Sequence, residues 1–305
     1  MFHAKDFLLL LSSFSGILVG ILLPNFGMLF EPFPIYCMMG LLFFSFLSVS
    51  LEAILQTIRA SSSSIARFLI LKLVLLPVMV FFLVKWSFPD YATAALLLCG
   101  ISTGVASPFF AGLLHANTPL VLCMVVVGSV MVPVSLPALV KVLLGHSIQI
   151  SFPAMVELLG KVILVPLLLA EFLKRLAPAQ VNRLRKIQYP FSLVSFVVTN
   201  LGIFSKYAGF FFGEPSVVAL AFILSLGLGA VNGAAGILFS LNETLENRLS
   251  MAISFGIVNN VLVLVFSSEF FGPIEPTMAA LYTIPFFGLV LPLRAYRTWQ
   301  MGRIK

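Results

Sequence analysis

Charge is scarce in this chain. Only 10% of its 305 residues are Asp, Glu, Lys or Arg, while 60% are apolar and the mean hydropathy is +1.12. A soluble domain carries about a quarter charged residues, so a water-soluble globule is excluded and the lipid bilayer is the expected surrounding. Cysteine is also scarce: Cys37, Cys99 and Cys123 lie in apolar surroundings with no CxxC spacing. Neither a disulfide framework nor a thiolate metal site follows. His3, His115 and His146 form no cluster. With no HExxH, no Ser/His/Asp arrangement, no paired catalytic carboxylates and no phosphate-binding glycine loop, the sequence points to no enzyme, no metal and no cofactor. The formal charge of +7 comes with no nucleic-acid motif, and in a membrane chain it reads as topology rather than polyanion binding. Alternating ten-residue strands are missing too, which excludes a transmembrane barrel and leaves helices.

What is present is a series of apolar runs of about 20 residues. Ten are expected, near 7–24, 34–53, 65–85, 91–114, 118–143, 150–173, 189–206, 215–241, 249–268 and 276–294. The first lacks a small-x-small cleavage site and is expected to be a retained helix. Most Lys and Arg residues, among them Arg59, Arg67, Lys174, Arg175, Arg248 and Arg297, fall on one side if both termini are cytoplasmic. His115 and Asn117 then belong to a cytoplasmic turn. The hydrophilic stretch Lys174 to Gln188 is the largest connection and divides the chain as five plus five or six plus four spans. Two tandem five-span units begin on opposite sides and are therefore inverted relative to each other. On that division residues 1–145 and 146–305 form the two halves of one membrane domain.

Lys72 stands alone inside the apolar stretch from Phe68 to Val84. A fixed ammonium at bilayer depth costs roughly 2.5–3.5 kcal/mol on insertion scales, so it is kept where protein or a wet cavity surrounds it. Snorkelling toward the interface near Arg67 is the structural alternative. Spans four and nine, counterparts in the inverted arrangement, both carry helix-breaking or polar residues. One has Ser102, Thr103, Gly104, Ser107 and Pro108; the other has Ser254, Gly256, Asn259 and Asn260. Proline removes a backbone donor and clashes with the preceding turn, and side-chain amides need partners that hydrocarbon cannot supply. If both helices unwind and cross, their free backbone groups and dipole ends form a polar site. Simple helix packing by small residues is the competing reading.

The stretch STGVASPFFAGLLHANTPLVL from Ser102 resembles the fourth-helix signature of the bile acid:sodium symporter family, PGGTASNxMTxLAxGDxALS in form. AISFGIVNNVLV from Ala252 is similar to that family's ninth-helix SIEVGMQNSGLA, and FPIYCMMGLLFFSFLSVSLEAILQTIR from Phe33 is similar to its second span. The resemblance implies an all-α fold of ten transmembrane helices in two inverted five-helix repeats. It further implies a panel and a core domain, broken crossing helices four and nine, and alternating access around that crossing in a bacterial inner-membrane protein. In the same register the family's ion-coordinating acid becomes Ser254, its glutamine Val258, and the asparagine after its conserved serine Pro108. Hydroxyl positions become Val121 and Val125, and the third-helix glutamine five before a proline becomes Lys72, five before Pro77. Ser107 and Asn259 persist.

Valine and lysine supply no oxygen ligand, so conventional sodium sites cannot be assembled. The expectation is that the Lys72 ammonium fills the place of a bound sodium and donates to Ser254 and the unwound ninth-helix backbone. A permanently charged lysine gives a uniporter or exchanger; one that releases its proton gives proton coupling. Ser102, Thr103, Ser107, Asn259 and Asn260 are the expected substrate-binding residues. Glu157 and Lys161 share a helix face four apart, to pair with each other or to line a cavity. Thr199, Asn200 and Asn232 are expected as interhelical hydrogen-bond partners.

The function expected is a monomeric secondary transporter of an organic anion, bile-acid-like or a small carboxylate, without classical sodium coupling. A non-transporting receptor or scaffold of the same fold is the alternative from another class. Metalloid efflux is a weaker one, because that family's span-four cysteine is missing here.

Overall fold

The computed structural model describes residues 4–145 and 151–304, so His3, His146, Lys305 and the connection 146–150 lie outside the described residues. In chain order the helices are α1 (Ala4–Leu22), α2 (Pro24–Gly27), α3 (Pro34–Leu47), α4 (Leu51–Ile70), α5 (Leu76–Ser87), α6 (Ala92–Gly100), α7 (Ser107–Leu113) and α8 (Thr118–Leu144). They continue as α9 (Phe152–Leu176), α10 (Pro178–Lys206), α11 (Ala208–Gly213), α12 (Pro215–Leu238), α13 (Leu245–Gly256), α14 (Asn260–Phe270), α15 (Ile274–Leu281), α16 (Thr283–Gly288) and α17 (Val290–Ile304). The protein is all-helical among the described residues, with a single isolated antiparallel bridge between Thr103 and Val258.

Among the described residues six helices are long and apolar enough to cross a membrane, or up to eight if each of two bent pairs forms one span. This is a multi-pass membrane protein. Two of the ten expected windows, 91–114 and 249–268, each break into a pair of shorter helices, α6 with α7 and α13 with α14. The window 34–53 is also interrupted, at Ser48–Ser50, where the Ser50 hydroxyl accepts from the Ala53 amide at 3.4 Å and starts α4. The hydrophilic stretch 174–188 is helical rather than a loop. α9 runs to Leu176, Ala177 breaks it, and Pro178 opens α10, where its missing N–H costs nothing.

By contacts the chain divides into two compact units, each built from both halves of the sequence: Met1–Val49, Leu158–Ala219 and Val265–Pro273 in one, Ser50–Glu157, Leu220–Leu264 and Ile274–Lys305 in the other. Within the first unit α1 and α3 pack along α10. Close approach there depends on small residues, since a Cβ on Gly16 would lie 2.7 Å from the Val197 carbonyl oxygen. Asn200 ties the same pair, its Nδ2 donating to Ser13 Oγ at 3.0 Å and to the Phe196 carbonyl at 2.8 Å.

In the second unit α4 packs on α8, and α5 and α15 pack on α6. Between α4 and α5 the backbone makes a π-helical turn, Leu71–Leu75, just before Pro77. Pro77 has no N–H to return to Leu73 and its ring crowds that carbonyl, so one wider turn absorbs the mismatch without ending the helix. Lys72 lies in that turn.

Candidate functional site

α6 ends at Gly100, and Ile101 continues it with extended backbone. The chain becomes helical again at Ser107, where Pro108 sits in the first turn of α7 and wastes no donor. α13 ends at Gly256, and α14 restarts at Asn260. These two breaks lie against each other. The Gly104 amide donates to the Ile257 carbonyl at 2.7 Å, and the Asn259 amide donates to the Ser102 carbonyl at 2.9 Å. Each unwound strand thereby satisfies backbone groups that a helix would have satisfied internally and that hydrocarbon would leave orphaned. Gly104 permits the approach: a Cβ there would lie 2.7 Å from the Val258 oxygen and 3.1 Å from the Ile257 oxygen.

Several of the expected substrate-binding residues are used to hold this junction together. Thr103 Oγ1 donates to the Ser254 carbonyl at 2.8 Å, and Ser107 Oγ donates to the Ile257 carbonyl at 3.1 Å. Asn260 Nδ2 donates to Thr283 Oγ1 at 2.9 Å and to the Ala279 carbonyl at 3.2 Å. Asn259 Oδ1 caps α14 by accepting from the Leu262 amide at 3.3 Å. Ser102 Oγ, Ser254 Oγ and Asn259 Nδ2 are buried without a hydrogen-bond partner.

Lys72 is 1% exposed, so its side chain is enclosed by protein and does not snorkel. Its ammonium stands 5.5 Å from the centroid of the Phe255 ring, an attractive placement for a cation over a ring face. The expected donation to Ser254 is not formed. Lys72 Nζ and Ser254 Oγ each lack a hydrogen-bond partner, and the Ser254 carbonyl accepts from Thr103. The stiff, fully buried Phe255 ring is the neighbour the structure gives the ammonium instead.

A buried chain braces the second break, and only part of it is legible in sequence. The Cys99 thiol donates to Asn232 Oδ1 at 3.2 Å, Asn232 Nδ2 donates to the Tyr282 hydroxyl at 3.0 Å, and that hydroxyl donates to the Gly256 carbonyl at 2.8 Å. Asn232 is the interhelical partner expected. Cys99 is more than the packing residue its apolar setting indicates, and Tyr282 carries no sequence signal beyond being a polar tip in an apolar run. Glu157 and Lys161 lie one turn apart on the exposed side of α9, away from the crossing residues in sequence and in burial.

A second polar cluster gathers residues from helix ends and loops of the same unit. Arg67 pairs with Glu243 at 2.6 Å, Asn247 Nδ2 donates to Glu243 Oε2 at 3.1 Å, and Asn117 Nδ2 donates to Asn247 Oδ1 at 3.0 Å. Asn117 also caps α8 through the Leu120 amide, following His115, which has a positive φ of 51° in the turn after α7.

Two broken helices stitched at their breaks inside a multi-pass protein suit a carrier rather than a catalyst. The sequence profile of the sodium bile acid symporter family matches residues 34–214, more than half of the chain and including the first break. The chain belongs to the sodium bile acid symporter family. That family is made up of transporters, sodium-coupled or related, and not of enzymes. No curated protein matches the chain. The matched span ends before α13, so the second break is tied to the first by the hydrogen bonds above rather than by the family match.

Proposed function

We propose that this symporter-family chain is a sodium-independent secondary transporter of an organic anion, bile-acid-like or a small carboxylate, in which the Lys72 ammonium supplies the positive charge that a bound sodium supplies elsewhere in the family. The observation that carries the reading is the burial of Lys72 beside Phe255, next in the chain to Ser254 at the second break. At that break Ser254 and Val258 stand where sodium coordination calls for oxygen-rich side chains. A diffusible cation would meet a tethered one there, and like charges repel across a few ångströms in a low-dielectric site.

Ten crossings follow if the six long helices, the two bent pairs and the two interrupted helices each count once. The two compact units support two inverted repeats, with halves 1–145 and 146–305. Met1–Val49 of the first half and Leu158–Ala219 with Val265–Pro273 of the second fall in one unit, and Ser50–Glu157, Leu220–Leu264 and Ile274–Lys305 fall in the other. On this reading the units are the panel and core that alternate access around the crossing. The protein is a monomer in a cell membrane with both termini cytoplasmic.

Proteoliposomes loaded for uptake of labelled taurocholate, with sodium, potassium or choline outside, test the proposal. Equal uptake in all three media is expected. Uptake that requires sodium overturns the sodium-independent reading, and absence of uptake for a panel of organic anions points to a scaffold that has kept the fold.

A further inference from the structure

The end of α9 and the beginning of α10 carry more positive charge than the protein itself uses. Lys174, Arg175, Arg183, Arg185 and Lys186 crowd this bend, and no Asp or Glu occurs between Glu171 and Glu214. Two of these cations are spent on the last turn of α3. Lys174 Nζ donates to the Phe46 and Val49 carbonyls and pairs with Glu171, while Arg185 Nη2 donates to the Leu47 carbonyl. By converging on that turn they draw the end of α9 and the beginning of α10 together. Arg175, next to Lys174, and Arg183 and Lys186, which flank Arg185, are exposed and have no acceptor among the described residues. Like charges gathered in this way repel, and a bound anion relieves the repulsion.

Both helices pass from their cations into an apolar stripe. Leu168, Phe172 and Arg175 follow one another at helical spacing on one face of α9, and Arg183, Ile187 and Val194 do so on α10, with the cation at the bend in each case. Leu168, Phe172, Ile187 and Val194 are all exposed. α9 is also the least buried of the six long apolar helices among the described residues. Its 25 residues rise about 37 Å against a hydrocarbon core of roughly 30 Å, so Arg175 in its last turn reaches the headgroups while Leu168 and Phe172 lie among acyl chains.

We propose that Arg175, Arg183 and Lys186 bind the phosphate of a phospholipid with net negative charge, its acyl chains running along the apolar stripes of α9 and α10. A zwitterionic lipid brings its own cation to the same place and is disfavoured. A second copy of the chain is the wrong occupant, since a two-fold contact through this face would set the same three cations against each other. The inference goes beyond the transport function and makes no use of Lys72.

Thermal unfolding of the purified full chain in detergent, titrated with phosphatidylglycerol or with phosphatidylcholine of the same chains, is the test. A saturable rise in Tm with phosphatidylglycerol and little change with phosphatidylcholine is expected. Arg175→Gln, Arg183→Gln and Lys186→Gln should each weaken the apparent affinity about fivefold, and the triple variant should abolish the rise. Removing three cations elsewhere, with Arg59→Gln, Arg294→Gln and Arg297→Gln combined, should leave the rise intact. An equal loss in that control, the mark of attraction by net charge alone, overturns the site, and so does an equal rise with the two lipids. Glycerol 1-phosphate, a headgroup phosphate without chains, should leave Tm unchanged; a rise that matches phosphatidylglycerol overturns the lipid in favour of free phosphate. A Tm that climbs with protein concentration and ignores lipid overturns it in favour of a second copy. Should the triple variant fail to fold, the three single variants decide by the same shift in affinity or its absence.

Discussion

Lys174 and Lys72 are lysines placed among apolar helices, and the two units treat them in opposite ways. In the first unit Lys174 donates to the Val49 carbonyl at 2.7 Å and to the Phe46 carbonyl at 3.2 Å, and it pairs with Glu171 one turn earlier on α9. Arg185 adds a bond to the Leu47 carbonyl at 2.6 Å. Together they cover the carbonyls left free where α3 ends, the place where a helix favours cations. In the second unit Lys72 has a ring face and no acceptor. A cation whose donors are all used holds structure together, whereas one whose donors are unused is available to a ligand.

Substitutions can break or sharpen that contrast. The largest effect is expected at neither lysine but at the crossing: Gly104→Val places a side chain against the Val258 and Ile257 oxygens and should cost about 3 kcal/mol, with thermal unfolding in detergent showing a large fall in Tm. Lys174→Ala strips the cap from α3 and should cost about 2 kcal/mol, the range for hydrogen bonds to charged groups. Tyr282→Phe takes the partner from the Gly256 carbonyl and from Asn232 Nδ2 and should cost about 1 kcal/mol; a larger loss of transport than of stability would show that the brace positions the second break. Lys72→Met should change stability least, a rise of about 0.5 kcal/mol, because no protein hydrogen bond is lost and an unpaired buried ammonium is removed. A Tm fall as large as that of Lys174→Ala would show that Lys72 is a structural cation after all, and the contrast would collapse.

How far the site could be read in advance varies residue by residue. The breaks announce themselves locally, through Gly104, Pro108 and Gly256 and the polar residues beside them, because helix propensity and backbone donors are properties of short segments. Lys72 announces itself by charge in an apolar run, and Pro77 five residues later foreshadows the irregular turn that carries it. The bonding of Thr103, Ser107 and Asn260 was not legible: they read as substrate contacts, and their hydrogen bonds go to protein atoms 151, 150 and 23 positions away in the chain. The Cys99, Asn232, Tyr282 chain is similarly assembled from α6, α12 and the junction between α15 and α16. The hydrophilic stretch 174–188 misled for another reason, since polarity alone suggests a loop while Leu, Lys, Arg and Gln are good helix formers.

By itself the sequence determined that this is a helical, multi-pass membrane protein with two fragile segments and one isolated ammonium. Apolar content, proline positions and charge are local quantities, and lipid allows few backbone solutions. Tertiary structure alone decided that the two fragile segments repair each other, and which polar side chains they consume in doing so. It also decided that Lys72 meets Phe255 and not Ser254. Such outcomes depend on distances between segments far apart in the chain, and hydrogen bonds are formed or lost over fractions of an ångström.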